Sequence, residues 1–225
     1  MKFCIVIPAY NASATLDELL KRIEASVSEV VIIVVDDGST DDTAKIAFNH
    51  NVILISHDVN RGKGSALKTG FNEAIEREYD AIITLDSDLQ HPPELICRFI
   101  NKLSENFDMV IGNRMFDTAQ MPIERKISNK LSSFTTSILA GMKIPDSQCG
   151  FRAIKSWVIK SSRFFTNKYE IESEMIVEAA RLDANITFVK IPTIYGSISH
   201  FNKLIDTLRF IWFVIAYFPR RWINK

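Results

Sequence analysis

Five short apolar runs, spaced through the first half of the chain, constrain the fold more than any other feature. They are Phe3-Cys4-Ile5-Val6-Ile7, Val30-Val31-Ile32-Ile33-Val34-Val35, Val52-Ile53-Leu54-Ile55, Ala81-Ile82-Ile83-Thr84-Leu85 and Asp108-Met109-Val110-Ile111. Each has the length of a strand and little polar alternation, the pattern of strands covered on both faces. Helix signals fall between them. Thr15-Leu16-Asp17-Glu18 has capping-box spacing, and Leu16, Leu19, Leu20 and Ile23 form one apolar stripe. Pro92-Pro93 opens a further helix where a missing N–H is harmless. Strands alternating with helices predict an α/β fold with a mostly parallel sheet and helices on both faces. In such sheets ligands sit at the carboxyl ends of the strands, so the residues just after each run carry the functional information.

The second half is less regular. A helix pattern runs through Ile127, Leu131, Phe134 and Ile138 to Gly141, followed by a short strand, Phe151 to Ile154. A helix around Glu172 to Leu182 and an alternating strand, Ile186 to Ile191, complete it. There is no internal repeat and no low-complexity stretch. The 225 residues are expected to form one domain over residues 1–200 and a C-terminal helix over residues 201–225.

Charge narrows the partners. Lysine plus arginine equals aspartate plus glutamate, 27 each, so no global field favours nucleic acid. The three cysteines, Cys4, Cys97 and Cys149, have no metal-ligand spacing and fit buried free thiols in a reducing compartment. The first residues enter a strand without the basic and apolar regions of a signal peptide, so a cytoplasmic location is expected.

The strand ends are chemically distinct. Pro8-Ala9-Tyr10-Asn11 follows the first run and Asp36-Asp37-Gly38-Ser39-Thr40-Asp41 the second. The acidic pair either caps the next helix or accepts hydrogen bonds from a base or ribose. Asn60-Arg61-Gly62-Lys63-Gly64 follows the third; its glycines would let backbone N–H groups approach an anion, and Lys63 adds charge. Asp86-Ser87-Asp88-Leu89-Gln90 follows the fourth and is the sharpest feature. In extended backbone, residues two apart point the same way, so Asp86 and Asp88 converge. Two carboxylates and an amide oxygen are hard ligands suited to Mg²⁺ or Mn²⁺, with water and substrate phosphate completing the shell. Gly112-Asn113-Arg114 ends the fifth run, and its arginine either reaches a diphosphate or is a plain surface residue.

As a set, Ile7 to Asn11, Val34 to Thr40, Asn60 to Gly64, Asp86 to Glu94, Gly112 to Arg114 and Gln148-Cys149-Gly150-Phe151-Arg152 resemble a family 2 glycosyltransferase. The match is more specifically to the branch that makes dolichyl- and polyprenyl-phosphate sugars, in order and spacing over about residues 3 to 200. The resemblance implies a GT-A fold and an enzyme moving a hexose from a nucleotide-sugar, with inversion. It implies that Pro8, Tyr10, Val35 and Asp37 hold the nucleoside, with Asp37 on the base edge. Asp86 and Asp88 would bind the metal and diphosphate, with Gln90 as a third ligand and Ser87 on the donor. Arg114 would contact the diphosphate or the acceptor phosphate. Three positions depart from the pattern. Ala12 replaces a common glutamate, and Thr193 and Ser199 stand where dolichyl-phosphate mannose synthases carry an arginine and a lysine; His200 and Lys203 are nearby and could substitute.

The expected reaction displaces a nucleoside diphosphate at the anomeric carbon through an oxocarbenium-like transition state. A phosphate acceptor needs no protein base, whereas a sugar hydroxyl of a glycan or glycolipid needs one; Glu172, Glu174 and Asp146 are the candidates. A non-catalytic membrane-associated binding protein of the same fold is the alternative from another class. Residues 8–15 lack Gly, Lys and Arg, which argues against a nucleotidyltransferase, and no G-x-G-x-x-G follows the first run, against a dinucleotide dehydrogenase. Leu204 to Phe218 is nearly all apolar, interrupted by Asp206 and Arg209, and Arg220, Arg221 and Trp222 follow. That is too short to cross a bilayer and fits a helix in the interface at the inner face of a membrane. Packing on the domain itself or a homodimer contact are the alternatives for the tail.

Overall fold

The structure, a computed structural model, describes residues 1–119, 121–192 and 209–217. All five apolar runs form strands: β1 (Phe3–Ala9), β2 (Val31–Asp36), β3 (Ile53–Ser56), β4 (Ala81–Thr84) and β5 (Met109–Asn113). With β6 (Arg152–Lys155) and β7 (Ile186–Lys190) they make one seven-stranded sheet in the order β3-β2-β1-β4-β6-β5-β7. The pairs β1–β2, β1–β4, β2–β3 and β5–β7 are parallel, while β6 runs antiparallel between β4 and β5. Strand order reverses direction at β1, whose neighbours are β2 on one side and β4 on the other. That is the switch point at which an open α/β sheet forms a crevice.

The helices are α1 (Leu16–Ser26), α2 (Thr43–Phe48), α3 (Lys63–Glu76), α4 (Ile96–Ser104), α5 (Ile123–Ala140), α6 (Ser156–Ser161) and α7 (Ile171–Arg181). Leu16, Leu19, Leu20 and Ile23 are all buried, so the stripe in α1 faces the sheet. Pro92-Pro93 opens a short 3₁₀ turn, Pro93–Leu95, that leads into α4. The capping box does not form: Thr15 sits at the N-cap of α1 but makes no side-chain cap. Its hydroxyl donates to the Ser87 carbonyl at 2.6 Å and ties α1 to the loop after β4.

Helix α5 is built inside out. Asn129, Ser132, Ser133, Thr136 and Leu139 form its buried face. Ser132 and Ser147 hydroxyls lie 3.0 Å apart, the Ser147 N–H donates to Ser133 Oγ, and Thr136 donates to Ser173 of α7. The apolar stripe points outward, with Ile123, Ile127, Leu131, Phe134 and Ile138 exposed. Gly141 ends the helix in the left-handed conformation.

Residues 209–217 are helical. Phe213 and Tyr217 are buried against Leu139 and Val177, with Phe165, Phe210 and Val214 packed around them, and the Tyr217 hydroxyl donates to Glu178. Ile211, Trp212 and Ile215 face outward. This part of the tail therefore packs one side on the domain. Thr193, Tyr195-Gly196, Ser199, His200, Lys203 and the Arg220-Arg221-Trp222 end lie outside the described residues. If Phe213 anchors the tail as the packing indicates, Phe213→Ala should cost about 3–5 kcal/mol in a denaturant titration of the full chain. A change below about 1 kcal/mol would mean that the helix contributes little to the folded domain.

Candidate active site

β4 delivers residues 85–90 to the middle of the carboxyl edge, and the antiparallel β6 brings the turn before it back to the same edge, with Thr84 opposite Arg152. The Thr84 hydroxyl donates to the Gly150 carbonyl at 2.7 Å. A Cβ on Gly150 would lie 2.3–2.5 Å from the Asp86 carboxylate atoms, so the carboxylate occupies space that only glycine leaves open.

Asp86 is held by charge. Lys63, the first residue of α3, places Nζ 2.5 Å from Asp86 Oδ1 and 2.5 Å from Glu172 Oε1 of α7. Burial opposes ionisation of Asp86, but the Lys63 ammonium outweighs it and, with His91, holds the carboxyl well below the usual carboxylate range. Burial likewise opposes the charge on Lys63, and Asp86 and Glu172 reverse that and push its pKa up. Asp88 is driven the other way, raised by burial and by the negative charge of Asp86. A cation bound beside the two carboxylates would offset that repulsion. No group of three or more His, Cys, Asp or Glu poised to hold a metal occurs among the described residues. Asp86 and Asp88 thus fit Mg²⁺ or Mn²⁺ as a two-carboxylate site that needs ligand phosphate and water for the rest of its shell.

Gln90 is 4% exposed, and its Oε1 accepts from Arg125 Nη2 of α5 at 3.2 Å, while its backbone N–H donates to Asp88 Oδ1 at 3.0 Å. Its amide oxygen therefore faces α5 in this arrangement. Ser87 anchors α1 through its carbonyl. His91 is buried with Nε2 3.7 Å from Asp86 Oδ2, and its Nδ1 has no hydrogen-bond partner among the described residues.

The loop after β3 does cradle an anion, but the anion belongs to the protein. Asp37 Oδ1 accepts from the Arg61 N–H at 3.0 Å and lies 2.7 Å from His57 Nδ1, and Oδ2 accepts from the Gly62 N–H at 2.6 Å. Gly62 has φ of 100°, which permits that approach. Asp37 is 2% exposed and clamps the loop that launches α3 and hence Lys63. Asp36 accepts from the Ser39 N–H, and Asn11 and Thr40 join the ends of β1 and β2. Pro8 and Val35 are buried in their strands, and Tyr10 is half-buried at the edge.

Arg114 is not the plain surface residue that one expectation allowed. It is 5% exposed, and its Nε and Nη2 donate to the two oxygens of Asp146 at 2.8 and 2.9 Å. The guanidinium is spent on a buried ion pair rather than offered at the surface. Burial pushes the Asp146 carboxyl up, and the Arg114 charge and hydrogen bonds overcome this and bring it below its ordinary value. The pair fixes the turn leading to Gly150, and Arg152 completes it by donating to the carbonyls of Cys149, Ser147 and Glu172. Glu174 accepts from the backbone of Phe165 and Thr166 inside the domain. Arg125 and His57 were not among the sequence candidates. His57 follows β3 and was reachable by inspecting strand ends, whereas nothing local marks Arg125.

Residues 4–161 match the model of glycosyl transferase family 2. The chain is 33% identical, over 87% of its length and 86% of the relative's, to UDP-N-acetylglucosamine–dolichyl-phosphate N-acetylglucosaminyltransferase of Methanococcus voltae. It is 29% identical, over 85% of its length and 83% of the relative's, to undecaprenyl-phosphate mannosyltransferase of Micrococcus luteus. Among solved structures it is similar in fold to glucosyl-3-phosphoglycerate synthase from Mycobacterium tuberculosis, in complex with Mn²⁺, UDP and glucosyl-3-phosphoglycerate. That likeness has a TM-score of 0.72 and 22% identity, covering 98% of this chain and 79% of that one.

Removing one member of the buried pair should be costly. Asp146→Asn leaves the Arg114 charge without a counter-charge and should lower the unfolding free energy by about 3–5 kcal/mol near neutral pH. Because the folded carboxyl sits below its unfolded value of about 3.9, this contribution is present above that pH and fades as pH falls through the folded value. The wild type should lose stability on acidification below about pH 4, and Asp146→Asn should lose less. Equal acid sensitivity in the two proteins would show that the pair does not set it.

Proposed function

Because the chain belongs to glycosyl transferase family 2, we propose that it transfers a sugar from a nucleotide-sugar to a polyprenyl phosphate at a membrane surface. It is a glycosyltransferase of GT-A type; the proposal concerns the acceptor and the residues that do the work. The relatives named for dolichyl- and undecaprenyl-phosphate support a lipid-phosphate acceptor. The observation that carries the reading is that the three carboxylates considered as bases are each held by other groups of the protein. Glu172 is bound to Lys63, Glu174 to Phe165 and Thr166, and Asp146 to Arg114. A hydroxyl acceptor would need one of them free, whereas a phosphate monoester is already ionised and attacks unaided.

Mechanistically, an acceptor phosphate oxygen forms a bond to the anomeric carbon as the bond to the donor diphosphate breaks. Asp86 and Asp88 would hold a divalent ion, which would supply Lewis-acid neutralisation of the departing diphosphate. Lys63 holds Asp86 ionised and adds positive charge to the same edge. Gln90, Ser87 and Arg125 fix the loop that carries Asp88. Pro8, Tyr10 and Val35 form the β1–β2 side on which the nucleoside would rest, and Asp37 shapes that side through the 57–62 loop. Arg114 supports the site by holding the 146–150 turn.

No helix among the described residues is long and apolar enough to cross a membrane. The relatives named for lipid-phosphate acceptors support peripheral attachment at the cytoplasmic face, with the C-terminal segment taking part.

The reading is tested with UDP-sugars, starting with UDP-N-acetylglucosamine, and a short-chain polyprenyl phosphate in detergent. Asp88→Ala should fold with unchanged circular dichroism and lose transfer by about a thousandfold or more. EDTA should abolish wild-type turnover, and Mn²⁺ or Mg²⁺ should restore it. Undiminished transfer by the variant, or in excess chelator, would overturn the metal-assisted mechanism.

A further inference from the structure

We propose that the outward face of α5 is the surface by which the enzyme beds into an anionic lipid membrane. The inference deepens the membrane-surface reading above and can be tested apart from it. Ile123, Ile127, Leu131, Phe134 and Ile138 are 47–76% exposed. At about 100° per residue they fall within an arc of about 80°, one unbroken stripe along the whole helix. Five large apolar side chains aligned on one exposed face are more than scattered surface residues and mark an interaction site.

The inward face shows that this orientation is fixed by packing. The helix docks through Ser132, Ser133 and Thr136 on the hydroxyls of Ser147 and Ser173. Turning the stripe inward would put aliphatic groups against those polar partners and strand them.

Charge selects the occupant. Residues 122–143 carry four Lys or Arg against one acidic residue, and residues 203–225 carry five against one. The rest of the chain is left with 18 basic and 25 acidic residues, so a chain that is neutral overall is polarised. Lys126 and Lys130 border the stripe on one side, as helical spacing places them, and Lys130 is exposed. An apolar strip with a basic border fits the boundary between acyl chains and anionic headgroups. A second copy of the chain would bring two basic borders together, which disfavours self-association.

Position relative to the site agrees. α5 touches the catalytic loop through Arg125 and Gln90, and it touches the turn before Gly150 through Ser132, Ser133 and Ser147. A membrane against the outer face of α5 would be about one helix diameter, ~10 Å, from the Asp86–Asp88 edge. A phosphate at headgroup depth is then within reach of the site. The tail helix packs beside α5 through Phe213 and Leu139 and adds the exposed Ile211, Trp212 and Ile215.

The test uses the full chain and sedimentation with vesicles of phosphatidylcholine, with and without phosphatidylglycerol. The wild type should bind the phosphatidylglycerol vesicles. The double variant Leu131→Ser/Phe134→Ser, altered at exposed positions, should bind at least about tenfold more weakly. Lys126→Glu/Lys130→Glu should lose the preference for anionic vesicles. Both variants should keep the wild-type thermal shift on adding UDP and Mn²⁺ and their transfer to the short-chain acceptor in detergent, which separates this inference from the reaction itself. Vesicle binding unchanged in both variants would overturn it. So would a lipid-free dimer of the wild type that Leu131→Ser/Phe134→Ser converts to monomer.

Discussion

The half-buried Asp86 carboxylate carries a negative charge at the carboxyl edge of the sheet, and the surrounding elements are arranged to hold it there. Lys63 from the start of α3 meets it on one side, His91 lies on another, and Gly150 leaves the room it needs. Each contact comes from a different part of the chain. β4 must end at Thr84 to place Asp86, β6 must return antiparallel to place Gly150, and the 57–62 loop must turn correctly to place Lys63. Asp37 secures that last condition by accepting two backbone N–H groups of the loop. Four segments distant in sequence therefore converge on one ion pair, and an error in any of them reaches Asp86 directly.

The supporting network is polar and buried, which is expensive. Arg114, Asp146 and Arg152 are nearly inaccessible, and an unpaired charge in their place would cost several kcal/mol. They are satisfied by one another and by the carbonyls of Ser147, Cys149 and Glu172. The result is a turn beside the same sheet edge held by charge and hydrogen bonds; Cys149, its one thiol, is buried, which pushes it up to about 12. Such a turn suits a site in which two carboxylates must keep their separation before any ligand arrives.

How much of this was legible in the sequence follows from what each signal measures. Strands of a covered parallel sheet are continuous apolar runs, so β1, β2, β4 and β5 were visible, with ends one or two residues off, as where β1 runs on through Pro8 and Ala9. Edge strand β3 was visible as well, although it is only partly buried. The six-residue helices α2 and α6 carry too little periodicity to register. At the candidate site, residue type and position at a strand end marked Asp86, Asp88, Asp37, Lys63 and Arg114 as candidates. Type alone does not name the partner. Asp37 faces His57 and the loop amides, and Arg114 faces Asp146, partners that residue type does not reveal because His57 and Asp146 lie 20 and 32 residues away in sequence. Thr15 shows the same limit on a small scale: its hydroxyl passes over the local cap for the Ser87 carbonyl, 72 residues distant.

Helix α5 gives the limit its clearest physical form. Spacing fixes which residues share a face, and the alignment of Ile127, Leu131, Phe134 and Ile138 was readable from that rule. It does not say whether the face meets core, lipid or partner, because the rule is symmetric between the two sides of a helix. The deciding information lies on the opposite face, where Asn129, Ser132, Ser133 and Thr136 share a periodicity of their own. A helix whose polar face consists of small hydroxyls rather than charges can bury that face, since each hydroxyl finds a partner at modest desolvation cost. A face of lysines and glutamates could not. The choice between an ordinary amphipathic helix and an inverted one thus rests on the chemistry of the polar side. Here Ser147 and Ser173 supply the partners that turn the apolar side outward.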